Sequence, residues 1–291
     1  MECLTDVNNL IVLVAMKIRK KDRVRRTPNA KGRTNTLSEQ FTSREVRFVL
    51  MIFLCSACLI ACAASTQNQE QALVHLRLGD SLLQEGRPTQ ALGELLKAGE
   101  LDPKNPVIRN FLGIAYLEKG MFRPAIEQFA KALFLDPEYI EVNNNLGTAL
   151  FRDGKVSEAI KEFFLALNNP LYTTPHFAQY NLGQSYFALR EYEKARYYYQ
   201  EAVNNSPAYS LAYHGLGMSL RAVNKPVEAA EAFKKAVEHA PAFAQAHYDL
   251  GEVLAELGQT SLARLAYKEV LRLVPEGEMG RRASKRLKEL P

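Results

Sequence analysis

Residues 111–147 read FLGIAYLEKGMFRPAIEQFAKALFLDPEYIEVNNNLG, a stretch that opens and closes on the same Leu-Gly pair, with the two glycines 34 residues apart. A Leu-Gly pair recurs along the chain at Gly79, Gly113, Gly147, Gly183, Gly217 and Gly251, with spacings of 34, 34, 36, 34 and 34 residues. A fixed period of that length signals a stack of small supersecondary units.

Each unit carries further columns. Three residues past the glycine stands a large residue: Leu82, Tyr116, Leu150, Tyr186, Leu220 and Leu254. Twelve past it is always alanine, from Ala91 and Ala125 through Ala159, Ala195, Ala229 and Ala263. Sixteen past it come Leu95, Phe129, Phe163, Tyr199, Phe233 and Tyr267, and nineteen past it Ala98, Ala132, Ala166, Ala202, Ala236 and Val270. Proline follows at twenty-four in five units, at Pro103, Pro137, Pro207, Pro241 and Pro275.

These columns resemble the tetratricopeptide repeat, and the resemblance covers residues 72–275. It implies an all-α fold, a right-handed α-solenoid of six helical hairpins. The units are 72–105, 106–139, 140–175, 176–209, 210–243 and 244–275. Glycine and alanine are small where paired helices cross, the large residues fill the space between hairpins, and proline ends the second helix. One hairpin cannot bury its apolar face alone, so stacking supplies the core. Residues 276–291, EGEMGRRASKRLKELP, form an amphipathic segment suited to a solvating cap helix.

Charge and cysteine are concentrated at the other end. Residues 1–61 hold 11 Lys/Arg against 5 Asp/Glu, and the remainder 26 against 27. The repeats are electrically balanced, which argues against a phosphate-backbone surface and a nucleic-acid partner. Cys3, Cys55, Cys58 and Cys62 all lie in the first 62 residues, which leaves no disulfide framework or cysteine zinc site for the repeats. The five histidines form no ligand spacing, and no Gly-rich phosphate loop occurs. The expectation is a protein without catalytic site, metal, cofactor or small-molecule substrate.

Arg44 and Arg47 precede Phe48–Ala61, fourteen residues without charge. That is shorter than the roughly 20 residues of a membrane span and suits the apolar region of a signal peptide over 44–61. Leu59-Ile-Ala-Cys62 resembles the bacterial lipobox, which implies acylation of the Cys62 thiol and a tether over 62–71. An uncleaved anchor, or a signal peptide with an incidental cysteine, is the alternative. Ala63 rather than aspartate after Cys62 implies the outer membrane with the protein facing the periplasm. Residues 1–43 fit an over-extended start or a disordered basic arm.

The third unit is two residues longer. Its Asn143-Asn-Asn-Leu-Gly147 and Asn169-Pro-Leu-Tyr-Thr-Thr-Pro175, together with the lipobox, resemble the type IV pilus biogenesis lipoproteins of the PilW/PilF family. That resemblance implies a non-catalytic scaffold that helps the pilus secretin to localise or assemble, with the membrane engaged through Cys62. A general periplasmic adaptor, for example for peptidoglycan enzymes, is the alternative. The repeat register places the protein-binding groove on the first helices, at Asn110, Leu117, Asn144, Phe151, Tyr180, Phe187 and His214, the fifth and twelfth residues of their units, with Phe177 and Leu211 at the second. Amides there would hydrogen-bond a peptide backbone and aromatics would take its side chains. Of Tyr197-Tyr-Tyr199, Tyr199 falls in a core column and the other two on the outer surface.

Overall fold

The computed structural model describes residues 43–291. Residues 1–42, nearly all of the segment 1–43 read as an over-extended start or a basic arm, lie outside the described residues. Two compact units divide the chain, Met1–Gln71 and Ala72–Pro291. The first helix, α1, spans Ser43–Gln84. It contains no proline, and no glycine before Gly79, so nothing in residues 62–71 interrupts it. Among the described residues no helix is long and apolar enough to cross a membrane.

In Ala72–Pro291 the end of α1 pairs with α2 (Pro88–Leu101), and five further hairpins follow. They are α3 (Pro106–Glu118) with α4 (Phe122–Leu135), α5 (Glu141–Arg152) with α6 (Val156–Leu167), and α7 (Pro175–Ala188) with α8 (Tyr192–Asn205). Then come α9 (Ser210–Ala222) with α10 (Pro226–His239) and α11 (Ala244–Glu256) with α12 (Thr260–Leu273), and last the single helix α13 (Gly277–Glu289). Every described element is helical.

The turn inside each hairpin uses a left-handed residue seven past the motif glycine. Gly86, Gly120, Gly154 and Gly258 have φ between 70° and 83°, and Arg190 and Asn224 have φ 60°. Proline at the first turns of α2, α3, α7 and α10 presets φ where no intrahelical donor is needed.

The columns found in the sequence are the core. All six alanines twelve past the glycine are fully buried, and so are the residues nineteen past it. The large side chains sixteen past it are buried as well. They lie on their own motif glycine: a Cβ added at Gly147 would sit 2.6 Å from the Phe163 ring, and one at Gly251 would sit 2.7 Å from Tyr267. Glycine is needed because a ring occupies the place of its side chain.

Helix α13 has the register of a seventh first helix. Gly280 and Ala283 bury against the stack, while Lys285 stands where the other six units have the motif glycine and Lys288 where they have Leu or Tyr. Both lysines are exposed, so that face stays in water. On the inner side Arg286 makes a bidentate ion pair to Glu252 at 2.5 and 2.8 Å, and the Tyr267 hydroxyl donates to the same carboxylate at 2.6 Å.

Candidate protein-binding groove

From α2 to α13 successive helices pack on one another, and the first helices α3, α5, α7 and α9 also touch one another in turn. The second helices make no comparable contacts, so the first helices form the inner, concave side. Residues three and two before each motif glycine face one another across adjacent first helices, and there the polar side chains form a ladder.

Asn145 Nδ2 donates to Asn110 Oδ1 at 3.0 Å, and Asn110 Nδ2 donates to the Tyr139 hydroxyl at 3.3 Å. One hairpin on, Asn181 Nδ2 donates to Asn144 Oδ1 at 3.0 Å and to Thr148 Oγ1 at 3.3 Å. Farther along, His214 Nε2 pairs with Asp249 Oδ2 at 2.8 Å, and Gln245 donates to the same carboxylate oxygen at 2.9 Å. Asn110 is buried, with both ends of its amide engaged within the stack. Among the described residues no buried side-chain polar atom lacks a partner.

Between α3 and α11 the ladder is interrupted once. Between α7 and α9 the facing residues are Tyr180 and Gly215, and Tyr180 instead accepts from Gln184 Nε2 at 2.9 Å. Gly215 packs on the Tyr199 ring, which is thereby held between Gly183 and Gly215. Aromatic side chains gather at this break. Tyr180 lies 5.2 Å from Tyr209 and 5.7 Å from Tyr199, and Phe177 and His176 lie edge-on to Tyr209 at 5.8 and 5.7 Å. Phe177 and Leu211, six residues before their motif glycines, are each 43% exposed and form the open apolar surface of this segment. Burial pushes the phenols of Tyr180, Tyr199 and Tyr209 up, so they remain neutral hydrogen-bonding groups at physiological pH.

The structure thus sorts the seven candidate residues. Asn110, Asn144 and His214 belong to the inter-hairpin ladder. Leu117 and Phe151 are half-buried against the core of hairpins two to four. Phe187 is half-buried with its ring 5.1 Å from Tyr192, and Tyr180 belongs to the aromatic cluster. The ladder partners Asn145, Asn181 and Asp249 are absent from that set, although the polar residues recurring one column away signal them. The backbone at Cys62 is helical within α1, and its side chain lies outside the described residues. Tyr197 is exposed, but Tyr198 is not simply outer surface: its ring stacks on Tyr186 at 5.4 Å and meets Phe164 edge-on at 5.9 Å, tying hairpin four to hairpin three.

Two sequence profiles described as Tetratricopeptide repeat match residues 112–170 with 214–278, and 176–209, together more than half of the chain. The chain belongs to the tetratricopeptide-repeat family. No curated protein matches it in sequence.

Among solved structures, this tetratricopeptide-repeat protein is similar to pilF of Pseudomonas aeruginosa, with TM-score 0.66 and 20% identity over 76% of this chain and 99% of that one. It is also similar to PilW, a type IV pilus biogenesis factor, with TM-score 0.66 and 22% identity over 72% of this chain and 96% of that one. A subunit of the APC/C hetero-tetramer Cut9-Hcn1 reaches the same TM-score at 19% identity, over 79% of this chain and only 45% of the other. At these identities the likeness establishes the solenoid and its extent.

Proposed function

We propose that the protein is a periplasm-facing lipoprotein of the outer membrane that binds a segment of the type IV pilus secretin in its concave groove and assists secretin assembly. The observation that carries this reading is the exposed apolar and aromatic cluster between α7 and α9. Phe177, Leu211 and Tyr180 give an apolar, aromatic anchor site between α7 and α9, with hydrogen-bonded junctions on either side of it. A partner segment would place an apolar side chain there and run past the half-buried amides of the ladder.

The assignment to pilus biogenesis is supported by the near-complete coverage of the pilF and PilW chains, and the membrane location by the lipobox-like Leu59–Cys62. Acyl chains on Cys62 would confine protein and partner to one membrane plane and raise their effective concentration. Nothing in this mechanism requires chemistry; the work is done by binding energy.

The test is deletion of the gene, with secretin multimers read on gels and pili counted by microscopy. Loss of multimers and pili that is restored by the wild-type chain, but not by Phe177→Asp with Tyr180→Ala, supports the reading. Unchanged multimers and pili would refute it. Capture of peptidoglycan hydrolases instead would make the protein a general adaptor.

A further inference from the structure

Across hairpins four and five the groove wall is lined by residues six and three before the motif glycine and one and four after it. Its apolar members are Phe177 and Leu211, which are exposed, and Phe187 and Met218, which are half-buried. Its polar members turn to neighbours within the stack. Gln184 Nε2 donates to the Tyr180 hydroxyl at 2.9 Å, His214 Nε2 pairs with Asp249 Oδ2 at 2.8 Å, and the Arg221 guanidinium pairs with Glu256. The amides of the junctions before α7 are committed in the same way. Asn181 Nδ2 reaches both Asn144 and Thr148, and Asn110 uses both ends of its amide.

We infer that the segment held between α7 and α9 is an amphipathic α-helix with an apolar, uncharged face turned to the wall; this rests on the groove being the binding surface. Hydrogen bonding selects the helix. A segment laid over Phe177, Leu211, Met218 and Phe187 loses water from its own N–H and C=O groups. An extended chain needs outside partners for those groups, and the polar side chains of this wall already bond one another. Nor is a sheet edge at hand for strand addition, since every described element is helical. A helix satisfies its backbone internally and brings only side chains to the surface.

The dimensions and the charges fit the same occupant. Leu211 and Met218 stand seven residues apart on one side of α9, about 10 Å along its axis. Apolar residues at i, i+3 or i+4 and i+7 of a bound helix make a stripe of about that length. The ionic groups along this wall are paired within the stack, Arg221 with Glu256 and His214 with Asp249. A charge on the inward face of the helix would therefore be buried without a partner.

Two measurements on the full chain in detergent separate this inference from the groove reading. The first selects random 16-residue peptides displayed on phage, keeping those that the wild type retains and Phe177→Asp/Leu211→Asp releases. They are expected to carry uncharged apolar residues at i, i+3 or i+4 and i+7 without proline between, and synthetic copies to gain helical circular dichroism on binding. The second titrates overlapping 20-residue peptides of the secretin. Proline at the centre of a binding peptide is expected to lower its affinity at least about tenfold, where alanine at the same place does not. Peptides that alternate at i and i+2, or that bind without gaining helix, overturn the inference and leave the groove reading standing. Secretin peptides that all fail to bind overturn the secretin reading, while the phage set still decides the conformation. A selection that yields no peptide released by the double variant overturns both.

Discussion

Gly113 and Phe129, sixteen residues apart, fit together so closely that a methyl group on Gly113 would lie 2.5 Å from Cε1 of the Phe129 ring. Phe129 is fully buried and cannot swing away. Gly113→Ala is therefore an overpacking change, expected to cost about 1–3 kcal/mol. Gly93 is the contrast, an exposed helical glycine with nothing within 4 Å of an added Cβ. There Gly93→Ala should stabilise by about 0.5–1 kcal/mol, because alanine loses less backbone entropy. Urea denaturation followed by circular dichroism of both variants checks the pair; equal effects at the two glycines would contradict the packing account.

That pair also shows why so much of the fold was legible in the sequence. Gly113, Ala125, Phe129 and Ala132 each satisfy a local steric condition, and the condition recurs in every hairpin, so the residue type recurs too. The Asn110–Asn145 and Asn144–Asn181 bonds were harder to foresee. Each joins different columns of neighbouring units, and an asparagine can be spent on a neighbour or offered to a ligand with no difference in the single sequence. The left-handed turn residues were masked in the same way, because Arg190 and Asn224 stand where four other hairpins use glycine.

The ladder predicts a local effect. Asn181→Ala removes the donor to Asn144 Oδ1 and Thr148 Oγ1, and both acceptors are half-buried. A loss of about 1–2 kcal/mol is expected. Hydrogen exchange should rise in α5 and α7 while α11 and α12 stay protected, since a repeat stack transmits strain mainly to neighbours. Uniform loss of protection along the chain would count against a nearest-neighbour ladder.

The cap helix should be released by acid. Burial acts to raise Glu252, but the hydrogen bonds from Arg286 and Tyr267, with the guanidinium charges of Arg286 and Arg221, outweigh it and hold the carboxyl below its ordinary value. A depressed carboxyl contributes stability that is fully present above its unfolded value, about 4.3, and is lost as pH falls through the lower folded value. Exchange of amides 277–289 should therefore accelerate below about pH 4. In Glu252→Gln it should already be fast at pH 7 and change little with acid. Acid sensitivity retained in that variant would place the titrating group elsewhere.

Arg190 adds a test of the hairpin turns. Its φ of 60° is a conformation that costs a non-glycine residue about 1 kcal/mol, so Arg190→Gly should be neutral or stabilising by up to about that amount, measured as the urea midpoint. A clear loss of stability would show that the arginine side chain matters more than its backbone.

In the proposed function the partner is held at Phe177, Tyr180 and Leu211, where the ladder is interrupted. Its most direct test is retention of proteins from detergent-solubilised membranes by the full chain, with wild type and Phe177→Asp/Leu211→Asp compared by quantitative mass spectrometry. Both changed residues are exposed, so helical content should be unchanged. The secretin is expected to be retained by the wild type and to fall at least tenfold in the double variant. Equal secretin recovery by both proteins, or none by the wild type, would contradict it.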